Sequence, residues 1–218
     1  MHVQSETEIV SFQGWTLRVR PATQAAARLL LLIHGWTGDE NSMWVFVHNF
    51  GPNYWIIAPR APHLTEPTGY SWSSLRHGEH DRPTLQDLQP AIESLISFVD
   101  AYAAENHLEV SQFDAIGFSQ GAALVSAIAL SHPERIGRLG VLAGFVPPGA
   151  ESPAGQRPLS GKDVFVAHGT LDEMVNVDLA RRSVKVLEGA GAKVTYCEDE
   201  VGHKLSAKCL RALQTFFA

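Results

Sequence analysis

Short apolar segments alternate along this chain with longer segments of helical period. Arg28–Ile33 reads Arg-Leu-Leu-Leu-Leu-Ile, apolar without alternation, as expected of a strand buried on both faces. The segment 54–58, closed by Pro59, has the same character, and 112–118, 138–143, 163–168 and 193–198 predict four further strands. Glu8–Phe12 and Trp15–Arg20 flank Gly14 and predict an opening hairpin. Between the strands, 84–105 places Leu85, Leu88, Ile92, Leu95, Ile96 and Val99 on one face of a helix. Gln120–Ser131 predicts a small-residue helix able to pack closely on a sheet, 177–188 a helix ending at Gly189, and 204–217 a last helix. Ser42 is a candidate cap for a short helix through Phe50. Strand–helix alternation of this kind predicts βαβ units: an α/β fold with a mostly parallel central sheet flanked by helices.

Two stretches break the alternation. Residues 60–83 are rich in Pro, Gly, Ser and His, without a period, and loops of that length are usually functional or disordered. Tyr70 and Trp72 argue that this one is ordered; whether it moves as a lid stays open. Residues 144–161 form a second Pro/Gly-rich excursion. No repeat or linker divides the chain, and 218 residues with 45% hydrophobic content suit one core, so 1–218 is read as one domain.

Charge and cysteine content narrow the function classes. A net charge of −6 with scattered Lys and Arg offers no phosphate-binding face, which argues against nucleic acid. No purely apolar run exceeds the five residues of 29–33, too short to cross a bilayer, so no stable membrane insertion is expected. The start of the chain has neither a basic nor an apolar segment, and a cytoplasmic location is expected. Cys197 and Cys209 are accordingly expected as free, packed thiols.

The candidate chemistry begins at Gly117-Phe118-Ser119-Gln120-Gly121, a G-x-S-x-G string between a predicted strand and a predicted helix. Such a context defines a nucleophile elbow, with the serine at a strained strand-to-helix turn and a helix N-terminus beneath it. A serine hydroxyl needs a base to take its proton. In the order Ser, acid, His, Asp172 follows the strand 163–168 and His203 follows 193–198. All three therefore project from the carboxyl ends of strands in one sheet, where open α/β sheets place their sites. Ser119 is expected as nucleophile, His203 as base and Asp172 as the acid orienting it, with Glu173 the near rival.

Ten histidines make a chance candidate a real concern. His2, His107 and His132 read as surface residues, and His34 and His168 as supports of loop geometry. His63, His77 and His80 lie with Asp81 in one loop, but their spacing matches no ordinary zinc pattern, so no metal is expected. Asp114 and Asp163 fall at strand beginnings, the wrong edge of the sheet. The oxyanion formed in acyl transfer needs two donors, and the backbone N–H groups of Gln120 and Trp36 are expected to supply them. Trp36, Trp72, Phe118, Phe145 and Val146 are candidates for an apolar pocket, each with ordinary packing as the alternative.

Several strings in order resemble the phospholipase/carboxylesterase family of the α/β-hydrolase superfamily, which includes the acyl-protein thioesterases. They are Leu32-Ile33-His34-Gly35, Ala58-Pro59-Arg60-Ala61-Pro62, Gly117-Phe118-Ser119-Gln120-Gly121-Ala122, Ala143-Gly144-Phe145-Val146-Pro147, His168-Gly169-Thr170-Leu171-Asp172 and Gly202-His203. The resemblance implies a compact α/β-hydrolase fold without a large cap domain. It also implies hydrolysis of carboxylic esters or thioesters without a cofactor, and it carries the same triad and oxyanion positions. Val175-Asn176 departs from the Val-Pro that often follows the acid in this family, and 63–82 keeps only a loose likeness around Gly69-Tyr70-Ser71-Trp72.

The activity expected is esterase action on small-molecule esters of short to medium acyl chain, with homodimerisation left open. The rival enzyme reading is thioesterase or lysophospholipase action on long acyl chains. A dienelactone hydrolase is disfavoured because residue 119 is not cysteine. The rival from another class is a non-catalytic ligand-binding protein on the same fold.

Overall fold

The computed structural model describes residues 7–24, 27–47, 50–74 and 82–218. Its strands in chain order are β1 (Glu8–Phe12), β2 (Trp15–Arg20), β3 (Arg28–Ile33), β4 (Tyr54–Pro59), β5 (His63–Leu64), β6 (Tyr70–Ser71), β7 (Phe113–Phe118), β8 (Ile136–Leu142), β9 (Asp163–Gly169) and β10 (Lys193–Asp199). Its helices are α1 (Trp44–Val47), α2 (Leu85–Glu105), α3 (Gln120–Ser131), α4 (Glu151–Gly155), α5 (Val177–Gly189) and α6 (Ala207–Phe217), with one 3₁₀ turn at Pro133–Arg135. Eight strands form one sheet in the order β1-β2-β4-β3-β7-β8-β9-β10, and β5 pairs with β6 in a separate hairpin. β1, β2 and β4 pair antiparallel, and every pairing from β4 through β3 to β10 is parallel. This is the expected α/β-hydrolase architecture.

The unalternating apolar pattern of β3 has a direct cause. Leu29, Leu31 and Ile33 enter a core cluster with α2, α3 and α5, while Leu30 and Leu32 enter a second cluster with α1 and α6. Successive side chains of a strand point to opposite faces, so a central strand covered on both sides needs apolar residues throughout. Helix α2 buries Leu88, Ile92, Leu95 and Val99 and opens with Thr84 and Asp87 in a reciprocal capping box. All of α3 from Gly121 to Leu130 is buried, which its run of Ala and Gly permits by letting the backbone approach the sheet.

Asp114, at the beginning of β7, lies at the sheet edge away from the strand tips. It accepts from Tyr54 Oη (2.9 Å), the Arg138 N–H (2.7 Å) and Arg28 Nη2 (2.9 Å), an entirely structural set of partners.

Several details depart from the sequence reading. Cys197 on β10 and Cys209 on α6 are not free thiols; a disulfide joins them, with Cα atoms 5.7 Å apart. The cause is tertiary: α6 packs on β10, so residues 12 apart in sequence face each other. The stretch 60–83 contains the β5–β6 hairpin, and residues 75–81, with His77, His80 and Asp81, lie outside the described residues. Helix α6 begins at Ala207 rather than at 204, because the Ser206 hydroxyl caps it by accepting the Cys209 N–H. No helix among the described residues is long and apolar enough to cross a membrane.

Candidate active site

Ser119 joins β7 to α3 with φ 54° and ψ −115°, a left-handed-side conformation that non-glycine residues rarely adopt. Its N–H donates to the Leu142 carbonyl of β8 (2.9 Å), which pins the turn to the neighbouring strand. Gly117 and Gly121 are required by close approach. A Cβ on Gly117 would overlap the Gly121 carbonyl, and one on Gly121 would overlap the carbonyls of Ile33 and His34. The strand and helix can cross beneath Ser119 only where both residues lack side chains.

Asp172 and His203 come from loops after β9 and β10. Backbone bonds from Thr170 N–H to the Asp199 carbonyl (2.9 Å) and from Leu171 N–H to the Val201 carbonyl (3.1 Å) tie these two loops together. The Asp172 side chain is fully buried, and its Oδ1 accepts the N–H groups of Met174 and Val175 at 2.9 Å each. Its Oδ2 lies 2.7 Å from His203 Nδ1. A carboxylate there makes Nδ1 the protonated nitrogen and leaves Nε2 as the basic one. Glu173 is exposed.

The His203 imidazole packs 4.9 Å from the Phe118 ring, which places it beside the Ser119 turn. Phe118 in turn stacks on Phe46 at 5.7 Å. Among the described residues Ser119 Oγ and His203 Nε2 make no hydrogen bond to each other, and such contacts often tighten only when substrate is bound.

The loop after β3 packs directly on the serine; a Cβ added to Gly35 would stand 3.1 Å from Ser119 Cβ. Trp36 follows Gly35 in this loop, and Gln120 follows Ser119 directly in the chain. Gln120 is the first residue of α3, where a backbone N–H has no acceptor within the helix.

This loop is held by a network in which His34 has the loop-supporting place expected of it, while its partners Glu40, Arg60 and Tyr70 were not identified from the sequence. His34 is buried, with Nε2 accepting the Ala61 N–H (3.0 Å) and Nδ1 lying 2.7 Å from the Gly35 carbonyl. Burial holds its imidazole below the ordinary histidine range. Glu40 forms a two-pronged ion pair with Arg60 (2.7 Å on each oxygen), which keeps its carboxyl below the usual range. Arg60 also donates to Tyr70 Oη (3.1 Å), and the Tyr70 N–H donates to the Gly38 carbonyl (3.0 Å). Arg60 sits in one of the strings that carry the family resemblance, so it was available as a signal. Glu40 was not.

The candidate pocket residues divide. Trp72 is buried, and its Nε1–H donates to the His34 carbonyl (2.9 Å), so it supports the loop from below rather than lining a cleft. Phe145 and Val146 line a cavity of about 260 Å³ with Arg82, Leu179, Arg182 and Val186. Phe118 is half-buried beside His203. Trp36, Leu171 and Met174, all on loops at this sheet edge, are 57%, 63% and 64% exposed.

Residues 16–218 match the family described as Phospholipase/Carboxylesterase. A probable inactive carboxylesterase of Oryza sativa subsp. japonica is 28% identical over 212 residues, covering 86% of this chain and 83% of that protein. Acyl-protein thioesterase 1 of Eremothecium gossypii is 25% identical over 216 residues, covering 89% and 88%. Among solved structures, the carboxylesterase of Bacillus cereus superposes with a TM-score of 0.82 at 22% identity over 94% of each chain. That of Mesorhizobium loti gives 0.81 at 20% identity over 96% and 97%; at these identities the likeness is one of fold.

Proposed function

Because the chain belongs to the phospholipase/carboxylesterase family of hydrolases, we propose that it cleaves carboxylic esters of short to medium acyl chain, using Ser119, His203 and Asp172. The observation that carries this reading is the 2.7 Å contact between His203 Nδ1 and Asp172 Oδ2 at the edge of the Ser119 turn. Ser119 Oγ attacks the ester carbonyl carbon as His203 Nε2 takes its proton. The tetrahedral oxyanion is received by the N–H groups of Trp36 and Gln120, each contributing on the order of 3 kcal/mol. The intermediate collapses as His203 returns the proton to the departing alcohol. Water, deprotonated by the same imidazole, then releases the acid from the acyl-enzyme. Asp172 holds the imidazole tautomer and stabilises its charged form throughout.

Hydrolysis of p-nitrophenyl acetate and butyrate tests the proposal, with a loss of roughly 10⁴-fold or more in Ser119→Ala. Wild-type-like turnover in that variant overturns the assignment. The relative from Oryza sativa makes the non-catalytic alternative concrete, and a fluorophosphonate probe decides it: covalent labelling of Ser119 is expected, and an inert Ser119 favours ligand binding without chemistry.

A second reading, long-chain esters or thioesters, is favoured by the exposed apolar side chains of Trp36, Leu171 and Met174 on the same edge. A rate that keeps rising beyond chains of roughly ten carbons supports it; a rate that peaks at shorter chains supports the first.

A further inference from the structure

The reaction scheme leaves one titratable group next to the acid without a task. His168, near the end of β9, has a fully buried side chain. Its Nε2 stands 2.7 Å from the Val175 carbonyl and 3.3 Å from Asp172 Oδ2. Its Nδ1 is buried and has no hydrogen-bond partner among the described residues. This pattern fixes the protonation state. A carbonyl accepts only, so Nε2 carries the hydrogen; a second proton on Nδ1 would have no acceptor. Burial also holds the imidazole below the ordinary histidine range, against the opposing pull of the Val175 carbonyl, of Asp172 and of Glu198 on the adjoining β10. His168 is therefore a neutral donor.

What it holds is the turn that holds the acid. Val175 donates its N–H to Asp172 Oδ1 and offers its carbonyl to His168, so the peptide units around Val175 are fixed from both sides. The Met174 N–H completes the clamp on Oδ1, leaving Oδ2 aimed at His203. The His168 N–H dipole near Oδ2 adds a favourable field without taking over the bond to His203. We propose that His168 is a positioning residue of the active site, whose imidazole sets Asp172 Oδ2 for His203 through the Val175 carbonyl. This rests on the triad reading above, because a positioning role presupposes the Asp172–His203 pair as the working unit.

Glutamine can place an amide N–H about where Nε2–H lies, whereas leucine fills the space and donates nothing. Both variants should be purified, their melting temperatures measured, and kcat and KM for p-nitrophenyl butyrate compared with wild type. The expected result is a kcat loss approaching 100-fold in His168→Leu with KM nearly unchanged, and substantial recovery in His168→Gln. The second readout does not depend on turnover: the downfield NMR resonance of the His203 Nδ1 proton, present in wild type and in His168→Gln, should be broadened or lost in folded His168→Leu. A folded His168→Leu that keeps wild-type kcat and the resonance overturns the proposal. So do equal losses in both variants that merely follow their melting temperatures. Should wild type itself fail to turn over ester or take up the fluorophosphonate, the hydrolase reading fails, and the resonance still decides whether His168 positions the pair.

Discussion

The side chain of Gln120 accepts the backbone N–H of Trp72 at 3.1 Å and exchanges hydrogen bonds with the Ser71 hydroxyl, while its own backbone directly follows Ser119. One residue thus joins the first turn of α3 to the end of β6. Trp72 passes the connection on to the loop after β3 through its bond to the His34 carbonyl. The two expected oxyanion donors, Gln120 and Trp36, are held relative to each other by this bridge. Gln120→Ala keeps the backbone donor and removes only the bridge. It should lower kcat on p-nitrophenyl butyrate roughly tenfold, since misplacing a donor weakens transition-state binding without abolishing it. The melting temperature should move by a few degrees at most. An unchanged kcat would show that the donors need no such support.

The strands were readable because β3, β4, β7, β8 and β9 are buried along most of their length and carry mainly apolar residues, with polar ones such as Arg28, Asp114, Arg138, Asp163 and His168 at or near their ends. The serine turn was readable because its two glycines answer a local steric demand written within five residues. Asp172 and His203 could be named from chain order and strand ends alone. What could not be read depends on contacts between distant segments. Glu40 with Arg60, the Gln120 side chain with Trp72, and Cys197 with Cys209 have no local signature. In sequence an aromatic near a site looks alike whether it faces substrate, as expected of Trp72, or supports a loop. Only its bond to the His34 carbonyl decides for support.

The disulfide has a position that matters for the site. Residues 197 and 209 bracket the loop on which His203 sits, so the cross-link restrains the ends of the segment carrying the proposed base. Both cysteines are buried between β10 and α6. Closing a loop of this length contributes about 3 kcal/mol through the unfolded chain. The double variant Cys197→Ser/Cys209→Ser should therefore melt several degrees lower, with an activity that falls more steeply with temperature than that of wild type. Calorimetry with parallel assays checks both. Thiol quantitation on denatured wild type should find none until reductant is added; two free thiols in the native protein would contradict the pairing.

Acid stability should follow the two buried imidazoles. Burial holds both His34 and His168 below their unfolded value, which lies near ~6.5. Between the folded and unfolded values the unfolded chain binds more protons, so their contribution is complete above about pH 6.5 and is lost as pH falls below it. Each group can contribute a slope of up to about 1.4 kcal/mol per pH unit in that window. Carboxylates held low, such as Glu40 against Arg60, add their loss only at more acidic pH, below the ordinary carboxylate range. The melting temperature should be level from about pH 8 to 7 and decline from roughly 6.5 downward. In His34→Gln the decline should be shallower. A melting temperature that rises on acidification through this range would mean the imidazoles are stabilised in their charged form.

Asp114 tests the separation between scaffold and site. Its carboxylate is buried at the start of β7, and Ser119 follows the other end of the same strand. Tyr54, Arg28 and the Arg138 N–H all converge on it, and burial together with this carboxylate pushes the Tyr54 hydroxyl upward in pKa. Asp114→Ala would leave the Arg138 N–H and the Arg28 guanidinium without this partner, while Tyr54 Oη keeps the Phe217 carbonyl (3.0 Å), at a cost of about 2 kcal/mol. Asp114→Asn keeps an acceptor for one of them and should cost less. The ester kcat/KM, measured per folded molecule well below the melting point, should match wild type in both. A lowered melting temperature with intact kcat/KM places Asp114 in the scaffold. A loss of turnover at unchanged stability would require that this carboxylate act on the site from the far edge of the sheet, which none of its contacts supports.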